Sequence, residues 1–358
     1  MIRLVGQKLV SGVAVVFGVV VVVFFLFNVL PGDPARMVLG QRADLASIET
    51  INRELGRDLP VWKQFAAYAN DLSPLSVLNS KDSLSRVYAD PDKYGAMKTL
   101  VSLGRYELVL KFPHLRRSYQ SRELVSSILI EALPGTAVLA VSSLLIASVF
   151  GILLGVWSAV RFRRWDDHLV MLLSVMGMSV PSFFAGILMA WLFGFVLHDW
   201  TGLEMTGSLV EMDPFEGLRL NWSNLILPSI TLGIRPLAVI VQLTRSSLLE
   251  VMQQDYIRTA RAKGLSRSVV LFKHALRNAL NPVLTAISGW FGSLLAGAVF
   301  IEYIFGWKGV GKVTVDALEH YDFPVVMGAV LMVSVFFVII NILVDILYMR
   351  LDPRVRML

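Results

Sequence analysis

Residues 255–282 read DYIRTARAKGLSRSVVLFKHALRNALNP and lie between two runs so apolar that both belong in a bilayer. Arg258, Arg261, Lys263, Arg267, Lys273 and Arg277 crowd into this stretch, with Gly264 between them. Val269, Phe272, Leu276 and Leu280 recur at i, i+3, i+7 and i+11, which predicts one apolar helix face. Gly264 can take the left-handed conformation that ends a helix, so a helix continuing from the preceding run is expected to stop there. Ser266 can then cap the next one. The expected object is a helix–glycine–helix elbow, basic on one side. It reads either as a basic loop that only fixes topology or as a docking surface, for which a short rigid helix end is suited.

The rest of the chain agrees with a membrane setting. Of its 358 residues, 55% are hydrophobic and 17% charged, against about a quarter charged in a soluble domain. Several apolar runs of about 20 residues predict a polytopic helical membrane protein. The net charge of +6 needs no nucleic acid, because membrane proteins concentrate Lys and Arg in cytoplasmic loops, and no recognition motif accompanies it. With no cysteine, disulfides, thiolate metal sites and cysteine nucleophiles are excluded within the chain. The five histidines are scattered, and no pair has metal-ligand spacing.

Six spans are predicted: about 9–30, 133–160, 168–197 (broken near Val180-Pro181-Ser182), 225–252, 282–305 and 325–349. The first is too long for a signal peptide and lacks an A-x-A-like site; Leu30-Pro31-Gly32-Asp33-Pro34 should end it sharply. The fold class is all-α, with 1–30 as the N-terminal helix, 31–132 as a large polar segment and 133–358 as a five-helix core. With the N-terminus inside, the inner segments carry about fourteen basic residues, while the outer loops 198–224 and 306–324 carry three (Arg219, Lys308, Lys312). Both termini and the elbow are therefore expected in the cytoplasm, and 31–132 outside.

Arg258-Thr259-Ala260, Gly264, His274 and Leu276 together resemble the EAA loop of bacterial ABC importer permeases, more narrowly those of dipeptide, oligopeptide and nickel importers. Arg258 stands where the general pattern has an acid, and Leu276-Arg277 where it has Leu-Pro, both departures familiar in the peptide branch. Further resemblances run in order along the chain: LPGDPA (30–35), LGRDLPVWKQFAAY (55–68), LPGTAVLAVSSLLIASVFGILLGVWSAVRFRRWDD (133–167), SVPSFFAGIL (179–188), FIEYIFGWKGVGK (300–312), YDFPVVMG (321–328) and NILVDILYMRLDPRVR (341–356). Lys308 replaces the usual proline, and residues about 75–112 look like an insertion.

The resemblance implies a permease subunit in the bacterial inner membrane, in which Arg258, Thr259, Ala260, Arg261, Lys263, Gly264, His274 and Leu276 form the loop that couples it to ATPases. It implies a second, similar permease chain, two cytoplasmic ATPase subunits and an extracytoplasmic binding protein as partners, with di- or oligopeptides as solute and nickel or another small solute as the alternative. The chain has no phosphate-binding Gly-x-x-x-x-Gly-Lys-Ser/Thr, so ATP and its Mg²⁺ would belong to the partners and this chain would bind no cofactor. An intramembrane enzyme would need a nucleophile–base or metal constellation, which is not visible; a passive channel or scaffold would not need the coupling loop.

Arg235, inside the fourth span, should face a protein or water-filled interior. For it and for Glu302, a pathway or gating role and a structural one both stand; Asp345, near the inner end of the sixth span, reads as structural. Gly151 and Gly155, with Ser293 and Gly297, offer small-residue stripes for close helix packing. Pro181 and Pro228 are candidate kinks.

Overall fold

The computed structural model describes residues 2–28, 59–82, 85, 87–213 and 217–351. In chain order come α1 (Ile2–Asn28), α2 (Val61–Leu72), β1 (Leu75–Asn79), β2 (Met97–Leu103), β3 (Tyr106–Lys111), α3 (Val125–Val160), α4 (Trp165–Ser179) and α5 (Ser182–Trp191). There follow β4 (Val210–Asp213), β5 (Gly217–Leu220), α6 (Ser223–Val251), α7 (Asp255–Ala262), α8 (Arg277–Ile304), α9 (Val310–Glu319) and α10 (Phe323–Leu351). Wider π-helical turns extend α5 over Leu192–Val196 and lead into α8 over Val270–Leu276. The predicted helix end at Leu30–Pro34 and the DPRVR tail lie outside the described residues.

Four helices are long and apolar enough to cross a membrane, and six spans result if each of two bent pairs counts as one. One bend is where Pro181 predicts it. Val180 and Pro181 are extended (ψ 130° and 136°), and the two arms turn by 110°, because proline both lacks an N–H and disfavours helix in the residue before it. The second bend, of 54°, separates Arg267–Leu295 from Ala298–Ile304. Pro228 and Pro236 lie within an unbroken α6.

The chain divides into two compact units. The first comprises Met1–Lys8, Ala132–Lys312 and Phe336–Leu358. Its central helix is α6, whose buried side includes Leu227, Leu232, Ala238, Ile240, Val241 and Leu248. Small residues let the neighbours close on it. A Cβ at Gly155 of α3 would lie 2.5 Å from Thr244 Cβ, one at Gly151 2.7 Å from Ile240 Cγ2, and one at Gly177 of α4 2.9 Å from Ile234 Cγ2. The Gly-x-x-x-Gly of the second span is thus a close seam against the fourth. Leu139, Ala190, Leu294, Ala298, Ile301, Phe305 and Trp307 complete the main core. Asp345 finds a partner in Lys8, at 2.8 Å.

The second unit comprises Leu9–Glu131 and Val313–Val335. Val23 and Phe24 of α1, Tyr68 of α2 and Met327 and Leu331 of α10 form one of its apolar clusters. Asp322 accepts from Ser118 Oγ and from the Tyr119 backbone N–H (3.0 Å), tying that loop to the start of α10.

Here the all-α expectation needs correction, although the protein is mostly helical. The stretch 75–111 forms a three-stranded antiparallel sheet of order β1-β3-β2, with Leu75 opposite Leu110 and Leu103 opposite Tyr106. Its β-branched and aromatic residues, flanking a tight turn at Gly104 (φ +70°), favour strands. A second hairpin pairs β4 with β5. Helix periodicity dominates the sequence so strongly that such short runs are easily read as loop.

Candidate functional site

The elbow forms, with two differences from the sequence reading. The first is that α6 does not run on to Gly264. It ends at Val251, the chain turns through Met252–Gln254, and α7 begins anew at Asp255. Gly264 then sits at φ +76°, in the left-handed region that other residues enter at a cost of about 1–2 kcal/mol. A Cβ there would meet nothing within 4 Å, so backbone conformation alone demands glycine. Ser266 Oγ accepts from the Val269 N–H as the predicted cap.

The second difference is the face. Val269 and Phe272 are 38% and 60% exposed, while Val270, Ala275, Ala279 and Val283 are buried. These inward positions follow i, i+5, i+9 and i+13. The extra residue between the first two is the π-helical turn, whose wider ring advances the inward face by one position. The four residues of the predicted stripe therefore do not form the buried face. Ile257 and Ala260 of α7 pack with Val270, Ala275, Ala279, Leu248 and Ala159, fixing the elbow to the adjoining ends of α3, α6 and α8. Asn278 Nδ2, which donates to Tyr256 Oη at 3.0 Å, joins the two arms.

The predicted coupling residues fall into two groups. Ala260 is buried, and His274 and Leu276 are half-buried. Arg258, Thr259, Arg261, Lys263 and Gly264 are exposed around the bend. Arg258 pairs with Asp255 at 3.5 Å, both side chains largely in solvent, a contact that contributes little. Leu265, Val269, Phe272 and Tyr256 are exposed beside these cations. The elbow thus offers an apolar patch mixed with positive charge, anchored from behind by small buried residues.

A feature not read from the sequence fixes the turn between α3 and α4. Arg245 of α6 donates from Nε to Asp167 Oδ1 (2.7 Å) and from Nη2 to Oδ2 (2.9 Å), and Asp167 is 2% exposed. Ser158 Oγ and the Arg163 backbone N–H (2.9 Å) donate to the same carboxylate. Its signal was available: an arginine within a span requires a partner, and the acids of RRWDD (163–167) follow directly on the second span.

Glu302 and Arg235 are not brought together. Glu302 is fully buried and accepts from the backbone N–H groups of Gly311 (2.7 Å) and Lys312 (3.2 Å) at the start of α9. Around it, Trp307 Nε1 donates to the Gly135 carbonyl (2.9 Å), the Lys308 N–H to Ser208 Oγ (3.1 Å), and the Val310 N–H to Thr136 Oγ1 (2.8 Å). A Cβ at Gly309 or Gly311 would collide with the Glu302 carboxylate. Glu302 therefore anchors the FGWKGVGK loop, and within the chain it has no open face. Arg235, by contrast, is exposed on α6.

The family model described as binding-protein-dependent transport system inner membrane component matches residues 151–357, and its N-terminal counterpart matches residues 1–81. The chain is similar to a dipeptide transport system permease of Alkalihalophilus pseudofirmus (31% identical over 366 residues, 98% of each chain). It is similar also to a di/tripeptide transport system permease of Pseudomonas aeruginosa (35%, 99% of each) and a glutathione transport system permease of Escherichia coli K12 (34%, 99% of each). Among solved structures, the inward-facing MetNI methionine ABC transporter aligns with a TM-score of 0.52 and 16% identity, covering 63% of this chain and 97% of that one, a likeness of fold. Matched over more than half its length by the family model and nearly end to end by these relatives, the chain belongs to the inner-membrane components of binding-protein-dependent transport systems.

Proposed function

We propose that the protein is the permease subunit of an ATP-driven importer that carries di- or oligopeptides into the bacterial cytoplasm. The observation that carries this reading is the Gly264 elbow, where an exposed patch of Arg258, Arg261, Lys263, Leu265 and Phe272 is backed by a packed seat on three membrane helices. A loop that only fixed topology would need its charges and not that seat.

In this reading both termini and the elbow lie in the cytoplasm and the polar segment 31–132 lies outside, with six spans in the inner membrane. Two ATPase subunits dock on the elbow, a second homologous permease completes the pathway, and an extracytoplasmic binding protein delivers the solute. Closure of the ATPases moves the elbow as a rigid lever, and α6 and α8 rock with it. ATP and Mg²⁺ stay on the ATPases. Peptides are favoured over nickel because the similar proteins described above are named for peptides.

The test is gentle-detergent purification of the tagged chain, followed by reconstitution of what copurifies. Recovery of two ATPases and a second permease, with ATP-dependent peptide uptake, is the expected result. A preparation of this chain alone that passes solute without ATP would overturn the proposal in favour of a channel.

A further inference from the structure

Helix α6 has an open face of unusual chemistry for a span. Arg235, Val239, Gln242, Ser246 and Glu250 follow one another at i, i+4, i+7, i+11 and i+15, so they share one side of the helix. Arg235, Ser246 and Glu250 are exposed, and Val239 and Gln242 are half-buried, whereas Val241, Thr244 and Leu248 on the opposite side are buried, as is Leu232 one turn before Arg235 on the same side. Arg235 lies about 18 Å along the helix from Ser223 and about 24 Å from Val251, which is mid-span.

This face does not suit lipid. An arginine at the centre of a bilayer costs about 2.5–3.5 kcal/mol even on the most lenient scale; of the polar side chains that follow it on the same side, Gln242 Nε2 donates to Met178 Sδ (3.3 Å) and Ser246 Oγ to the Gln242 carbonyl (2.9 Å). Two other charges carried by the spans are paired within the chain, Arg245 with Asp167 and Asp345 with Lys8, and Glu302 accepts from two N–H groups of α9. Arg235 has no partner among the described residues, and its guanidinium presents a planar fork of donors matched to a carboxylate.

We propose that this face of α6 lines the water-filled solute path and that Arg235 receives the free carboxylate of the peptide in transit. The proposal rests on the peptide-importer reading above. It makes Arg235 a solute-binding residue of the permease itself, in addition to whatever selection the binding protein exerts.

Because the chain contains no cysteine, Arg235→Cys places a single thiol in it. The experiment uses the complete importer in proteoliposomes, with dialanine as solute and water-soluble methanethiosulfonates as probes. The introduced thiol should react with both cationic and anionic reagents, and saturating dialanine during turnover should slow the reaction. Dialanine uptake should fall at least tenfold in Arg235→Cys and Arg235→Gln, and modification of the thiol by the cationic reagent, not the anionic one, should restore it. Copurification of the partner subunits with each variant separates this loss from failed assembly.

An Arg235→Cys chain whose thiol stays unlabelled, or an Arg235→Gln importer with wild-type dialanine uptake, would overturn the proposal and leave the importer reading standing. A wild-type importer with no ATP-dependent uptake of any peptide would instead remove that reading, and the carboxylate assignment with it.

Discussion

Arg245 of α6 and Asp167 at the start of α4 form a two-pronged ion pair, 2.7 and 2.9 Å long, that ties α6 to the turn between α3 and α4. The carboxylate is saturated by Ser158 and by the Arg163 N–H as well, so neither partner tolerates being left alone. A displacement of α6 would reach α3 and α4 through this contact.

Asp167→Asn should therefore destabilise the protein by about 1.5–3 kcal/mol, because it leaves the half-buried Arg245 guanidinium without its charged partner. Asp167→Asn combined with Arg245→Met should cost clearly less than the sum of the single changes. A double-mutant cycle of thermal unfolding in detergent reads the coupling, and additive losses would show that the pair is not the source of the stability.

At Gly264 the demand is conformational, since a Cβ there meets open space. Asn tolerates the left-handed region and β-branched residues do not. Gly264→Asn should keep most transport, while Gly264→Val should lose it with the protein still inserted. Uptake measured beside membrane content checks this. Equal transport in both variants would mean that the angle of the elbow is not used.

The α3–α6 seam makes the opposite kind of demand, for space. At Gly155 an added Cβ would meet both Thr244 and the Val241 carbonyl, at 2.5 and 2.8 Å. Gly155→Leu should force the helices apart, costing about 1–3 kcal/mol or more, and should lower the yield of folded protein in size-exclusion chromatography. Gly6, with nothing within 4 Å, provides the control position, where Gly6→Leu should change little.

Acid should loosen the sheet-bearing unit first. His114, 9% exposed and edge-on to Tyr94, has its pKa pulled down from 6.5 to about 4, by burial first and by the Lys93 charge second; Lys111 and Arg117 add to this and Asp71 opposes it. The unfolded chain thus takes up the proton near pH 6.5 and the folded chain only near pH 4. Stability is complete above the higher value and declines as pH falls between the two, by on the order of 1–3 kcal/mol. Hydrogen exchange at the β1 and β3 amides should accelerate over that window, and His114→Phe should flatten the dependence. An unchanged slope in that variant would place the acid sensitivity elsewhere.

The amino-acid sequence alone determined the membrane class, the approximate positions of the spans, the break at Pro181, the glycine at the elbow and the Ser266 cap. These rest on chemistry that acts within a few residues: apolar runs of bilayer length, a ring that removes an N–H, and a backbone free to turn left-handed. The tertiary structure decided which residues meet. Strand β1 required a pairing partner, β3, distant in sequence, and the π-helical turn shifted the inward face from Val269 and Phe272 to Val270 and Ala275. The same holds for the charges. Arg235, Arg245 and Glu302 are all ionisable residues in apolar helices, yet Arg245 is locked to Asp167, Glu302 caps α9 and Arg235 is left open. Sequence states that a charge in a span must be compensated; only packing between helices decides what compensates it.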